Sequence, residues 1–253
     1  MRRYPSRGNY SSFSFGPGPL SPALKALIAV NVAVFIVMAL MPPVSRLAVQ
    51  QFLGLVPAAI FESFRLWQPV TYMFLHGTIG HIFFNMLSLW MFGTELERVW
   101  GTRYFLKFYF VTGVGAAIMT VLLSLLPFSM SNTLYTSNVI GASGAIYGLL
   151  LAFALYFPDR PILLYFLFPI PARYFVMIMG AMAFYFSLGQ TSGVANATHL
   201  AGLLVGYLYL KSARMHPLAE LKYRYLKCKI NRVRRKFDVY PGGRADDIDR
   251  RVH

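Results

Sequence analysis

Ser143, in Gly-Ala-Ser-Gly at the head of one long apolar stretch, and His199, near the head of the last one, are the residues best suited to chemistry in this chain. A serine hydroxyl is a weak nucleophile until a neighbouring base takes its proton. An imidazole can do this near neutral pH, where a carboxylate is too acidic and a lysine too basic. A full triad would add a carboxylate to orient the histidine. The acidic residues are Glu62, Glu95, Glu97, Asp159, Glu220 and the aspartates of the C-terminal tail, and none is near Ser143 or His199 in sequence. The pattern predicts a dyad whose histidine is oriented by packing.

Other residues fit around this pair. Tyr147, one helical turn after Ser143, shares its face and can hold an imidazole by stacking, or serve as a core aromatic. His81 and Asn85, at i and i+4 on one helical face, can join the backbone N–H of Ser143 as an oxyanion hole, aided by the positive end of a helix beginning there. The alternative is that they tie their helix to its neighbours. Gly144 and Gly148, like Gly202 and Gly206, form small-xxx-small patterns that let two helices approach closely. A serine alone would mean little, because hydroxyls within apolar helices commonly bond their own backbone.

The elements that must position these groups lie in a membrane. The chain is 57% hydrophobic and 13% charged, with a mean hydropathy of +0.52, which is far from a soluble domain. Six spans can be drawn on the criterion of about 20 apolar residues each, over 23–40, 79–97, 104–126, 143–157, 172–188 and 196–213. Pro169 and Pro171 break the apolar stretch 162–170 from the fifth span, so that stretch is expected along the interface. Arg2, Arg3, Arg7, Arg98, Arg103, Lys107, Arg160, Arg173, Lys211 and Arg214 all flank spans on one side. The positive-inside rule makes that side cytoplasmic, with both termini. On a rise of about 1.5 Å per residue, Ser143 stands roughly 24 Å above Asp159, His199 roughly 18 Å above Lys211, and Asn85 roughly 20 Å above Arg98. In a core about 30 Å thick these three share one layer beneath the outer surface.

Several classes of function fit poorly. Cys228 is the sole cysteine, so neither a disulfide framework nor a thiolate metal site is available; no metal and no cofactor are expected. His76 and His81 have no glutamate between them, unlike a zinc-protease helix. Ala145 occupies the last position of what would be Gly-x-Ser-x-Gly, and no sheet precedes it. A transporter would be expected to show related halves and embedded carboxylates.

With these residues in place, the chain resembles the rhomboid intramembrane serine proteases of the bacterial, six-span type over nearly all of 23–213. The matching pieces are His-Gly-x3-His-x3-Asn at 76–85, Glu-x2-Trp-Gly at 97–101, Gly-Ala-Ser-Gly-Ala-Ile-Tyr-Gly at 141–148 and Ala-Thr-His-Leu-Ala-Gly-x3-Gly at 197–206. The resemblance implies an all-α membrane protein with a six-helix rhomboid-like bundle. It implies Ser143 as nucleophile, His199 as base, His81 and Asn85 as oxyanion ligands, and Gly141 and Tyr147 in support. It also implies substrates that are transmembrane segments, a half-submerged first outer loop at 41–78, and an enzyme of the bacterial cell membrane. A catalytically silent relative that binds spans is the rival. Two departures stand out: Gln68 where Trp-Arg is usual, which questions the stability of that loop, and Thr198 where alanine usually precedes the base.

The segment 1–22 reads as a flexible cytoplasmic arm, and 214–253 as a basic cytoplasmic tail. The tail suits anionic lipid, or acts only as a topology signal; nucleic acid is not expected, since no binding motif accompanies the net charge of +15.

Overall fold

Hydroxyls, prolines and one glycine set where the main helices begin and end. The computed structural model describes residues 18–127, 131–164, 168–187 and 193–214. Helix α1 (Pro22–Leu40) starts where Ser21 Oγ accepts the Leu24 N–H at 3.1 Å, with Pro22 in the first turn, where a missing N–H costs nothing. Three short helices follow, α2 (Pro43–Leu53), α3 (Pro57–Glu62) and α4 (Gln68–Thr71), then a 3-10 turn at Tyr72–Phe74. Helix α5 (Ile79–Trp100) starts at Thr78, whose side chain caps the His81 N–H at 3.1 Å. It stops at Gly101, where φ is +76°, a conformation that glycine adopts without a Cβ penalty. Helix α6 (Thr102–Ser124) departs at once; α7 (Ser131–Thr136), α8 (Ser143–Tyr156), α9 (Ala172–Ser187) and α10 (Gly193–Arg214) complete the chain.

Helices thus lie at each of the six apolar stretches read from the sequence. Two of them, α1 and α6, are long and apolar enough to cross a membrane by length and composition, while α8 and α9 are apolar but shorter. Helix α8 is the centre. Gly144, Ala145, Ile146, Gly148, Leu149, Leu150, Ala152, Phe153 and Ala154 are all buried, and it packs against α5, α6 and α9. Helix α1 buries Leu24, Leu27, Asn31 and Met38 against this core and exposes most of its other side chains. A buried stripe on an otherwise apolar, exposed helix is what a helix facing lipid on its outer side requires.

Residues 161–164 and 168–171 form two paired strands. Strand β1 (Pro161–Leu164) pairs antiparallel with β2 (Phe168–Pro171), with Ile162 opposite Ile170. Prolines at 169 and 171 forbid a helix there, and the β-branched and aromatic residues favour extended backbone. The chain is therefore not all helix, although helix dominates. The segment 41–78 is ordered by its short helices and leaves Val44, Leu47, Phe52, Phe61, Phe64 and Leu66 exposed. Gln68 is fully buried there. Its Oε1 accepts the Val56 N–H at 3.0 Å, and its Nε2 donates to the Gln51 and Phe52 carbonyls at 3.2 and 3.3 Å. The amide thus joins the end of α2 and the start of α3 to α4.

The basic tail beyond Arg214 with Cys228, the arm before Gly18 and residues 188–192 lie outside the described residues.

Candidate active site

The loop leading into α8 is pinned from two directions. Leu55 and Val139 exchange backbone hydrogen bonds at 2.9 Å each, and the Gly141 N–H donates to the Tyr72 carbonyl at 2.9 Å. The approach to Ser143 is thus anchored to the segment 41–78. Gly141 has φ +125°, and a Cβ on it would stand 2.6 Å from His81 Nε2, so both backbone and space demand glycine. Helix α8 then begins at Ser143. The first helical amide to find an i−4 partner is that of Ile146, bonded to the Ala142 carbonyl at 3.1 Å. The N–H groups of Ser143, Gly144 and Ala145 therefore lie at the positive end of the helix without intrahelical acceptors.

Helices α8 and α10 meet at glycine. A Cβ on Gly202 would collide with the Gly144 carbonyl oxygen, and one on Gly206 would stand 3.1 Å from the Gly148 Cα. This approach carries His199 onto Ser143, with Nε2 2.7 Å from Oγ. The distance is that of a good hydrogen bond. The Tyr147 ring lies parallel to the imidazole, with centroids 4.3 Å apart and an interplanar angle of 6°. Ser143, Tyr147 and His199 are half-buried, whereas Gly144, Ala145, Ile146 and Gly148 around them are buried, so the α8 face bearing the serine is the one that opens. The other imidazole nitrogen, Nδ1, is buried with no hydrogen-bond partner among the described residues.

Around the pair stand the other candidate residues. His81 lies beside Gly141 in the third turn position after the Thr78 cap. Asn85 is buried and donates Nδ2 to the His81 carbonyl of its own helix at 2.7 Å; its second Nδ2 proton remains to be given elsewhere. Three contacts were not read from sequence. The His76 ring meets that of His81 edge-on at 5.0 Å; burial, with His81 beside it, pushes His76 down to about 4, so it is neutral at physiological pH. The Tyr72 hydroxyl donates to the Gly113 carbonyl at 2.7 Å. Thr198 and Thr120, both buried, are joined by a 2.9 Å hydrogen bond. The His76 signal was present in the His-Gly-x3-His motif; the other two pair residues too far apart in sequence to announce themselves.

A Rhomboid domain family model matches residues 63–214, more than half of the chain, and encloses every residue just described except Leu55. The chain belongs to the rhomboid family. It is similar to Rhomboid protein 1, mitochondrial, of Saccharomyces cerevisiae, with 34% identity over 143 residues covering 54% of this chain and 38% of that protein. It is also similar to Rhomboid protease GluP of Bacillus subtilis, with 34% identity covering 56% of this chain and 25% of that protein. Rhomboid protease AarA of Providencia stuartii is 30% identical over 151 residues, covering 56% and 54% of the two chains. The chain thus spans between a quarter and about half the length of these relatives. They include mitochondrial and bacterial proteins, so the match defines the family and not a bacterial subtype. Family and apolar helices together make this an integral membrane protein.

Proposed function

We propose that the protein is an intramembrane serine endopeptidase that hydrolyses peptide bonds in or near transmembrane segments of membrane-protein substrates. The observation that carries this reading is the 2.7 Å contact between Ser143 Oγ and His199 Nε2, with Tyr147 stacked on the imidazole. For His199 to act as base, its proton must sit on Nδ1 so that Nε2 can accept from Oγ.

The proposed steps follow from that tautomer. Ser143 Oγ attacks the scissile carbonyl as its proton passes to Nε2. The oxyanion that forms takes donors from the Ser143 amide, His81 and the free amide proton of Asn85. Nε2 then protonates the leaving amine, and the acyl-enzyme is left as an ester on Oγ. Water gives its proton to Nε2, attacks the ester, and Oγ recovers the proton as the acid departs. No acidic residue takes part. Cleavage favours small residues and locally unwound helix, because a carbonyl bonded within a helix is poorly presented.

In this reading α1, α5, α6, α8, α9 and α10 are six spans, both termini are cytoplasmic, and the dyad lies beneath the opposite surface. Segment 41–78, with its exposed apolar side chains, lies half-submerged beside the bundle. The grouping of ion pairs supports one charged rim. Arg160 pairs with Glu95 at 3.0 Å, and Arg173 with Asp159 at 2.9 Å.

The test is cleavage of a model single-span protein in proteoliposomes, with both products identified by mass. Cleavage within or beside the span by wild type, and none by Ser143→Ala, is the expected result. Binding of the span without cleavage by wild type would establish the silent-binder alternative instead.

A further inference from the structure

Among the described residues no carboxylate stands behind the base histidine, so something else must fix the rotation of α10. Residue 198, immediately before it, is a threonine lodged between three helices. Its hydroxyl is 2.9 Å from Thr120 Oγ1 on α6 and 3.2 Å from the Val194 carbonyl of its own helix. Thr120 Oγ1 is in turn 2.9 Å from the Ala116 carbonyl. Each hydroxyl has one proton to give. If Thr120 donates to Ala116, its oxygen is left to accept from Thr198, which gives up only its longer local bond. That assignment leaves no proton unused and no buried hydroxyl unpaired; both residues are almost fully enclosed, at 0% and 1% exposure.

The methyl of Thr198 faces the other way, its Cγ2 3.6 Å from the point where a Cβ of Gly144 would stand. One side chain therefore bonds α6 and lies alongside α8, from the residue next to His199 toward the residue next to Ser143. A turn of α10 about its axis that swung Nε2 off Oγ would have to break the threonine pair and press the methyl into α8.

We propose that Thr198 is a positioning residue, which through its hydrogen bond to Thr120 holds His199 in register with Ser143. The inference rests on the dyad reading given above. It also gives the threonine a purpose that an alanine at this position could not serve.

The experiment compares full-length wild type, Thr198→Val, Thr198→Ser, Thr120→Val and the Thr198→Val/Thr120→Val double variant in lipid vesicles. It measures the second-order rate of acylation by a fluorophosphonate, kcat and KM on a model span, and the melting temperature. Valine keeps the shape and removes the hydroxyl; serine keeps the hydroxyl. Thr198→Val is expected to acylate about three- to fifteenfold more slowly and to lose kcat by the same factor at unchanged KM, with a melting temperature lowered by no more than a few degrees, the range of hydrogen bonds between membrane helices. Thr198→Ser stays near wild type, and the double variant is no slower than the slower single, since both remove one bond. A wild-type rate in Thr198→Val, a loss that Thr198→Ser shares, or a double variant whose loss is the product of the singles overturns the proposal. Ser143→Ala runs alongside. Labelling retained there removes the nucleophile assignment itself, whereas labelling lost there with Thr198→Val unimpaired removes the positioning role alone.

Discussion

The two ends of α5 and α8 are built on different principles. At one end, α5 finishes with Glu95, Glu97 and Arg98, and α8 leads into Asp159 and Arg160. Every described carboxylate there has a partner: Glu95 with Arg98 and Arg160, Asp159 with Arg173, and Glu97 with the hydroxyls of Ser21 and Thr102 at 2.5 and 2.6 Å. At the other end, α5 opens with His81 and Asn85 and α8 with Ser143, and the imidazole that meets the serine has an unbonded Nδ1. Charge fixes geometry at the first end; ring stacking, glycine contacts and a threonine pair fix it at the second. A carboxylate near His199 would need burial in an apolar layer at a cost of several kcal/mol. Packing supplies orientation there without that cost.

Substitutions at each end sharpen this contrast. His199→Ala should have the largest effect, a loss of cleavage of about a thousandfold or more with the melting temperature little changed, since a nucleophile and its base act as a unit; turnover assays with calorimetry check it. Next comes Gly202→Val, whose side chain would strike the Gly144 carbonyl. It should lower stability by about 1–3 kcal/mol and remove most activity by parting α8 from α10, read by thermal melting beside turnover. Tyr147→Leu removes the stacked ring and should slow turnover by up to about tenfold, while Tyr147→Phe keeps it. Smallest is Arg160→Gln at the charged end. Its side chain is about half exposed, so the change should cost within about 1 kcal/mol and leave kcat unaltered. A large loss of kcat from Arg160→Gln would erase the distinction between the two ends.

Much of this was legible in the sequence, for identifiable reasons. Long apolar runs gave the helices at 23–40, 79–97 and 143–157 because length and hydropathy are local properties. Counting residues against the basic flanks put Ser143 and His199 at one level, and their side chains meet at 2.7 Å; the glycines announced the close approach. Helix α5 extends to Trp100, past the expected end at 97, because Gly101 and not the charge of Arg98 stops it. The paired strands 161–164 and 168–171 and the helices of 41–78 carry no long periodic signal. The bond from Gly141 to Tyr72, the bracing by Gln68 and the Thr198–Thr120 pair join distant residues, and a single sequence does not mark such partners.

The most direct measurement of the central claim is mass-spectrometric mapping of the adduct left by a fluorophosphonate on the detergent-solubilised protein, compared among wild type, Ser143→Ala and His199→Ala. The dyad requires one adduct, on Ser143, absent from Ser143→Ala and formed far more slowly in His199→Ala. An adduct on another residue, or equal labelling of all three proteins, would contradict it.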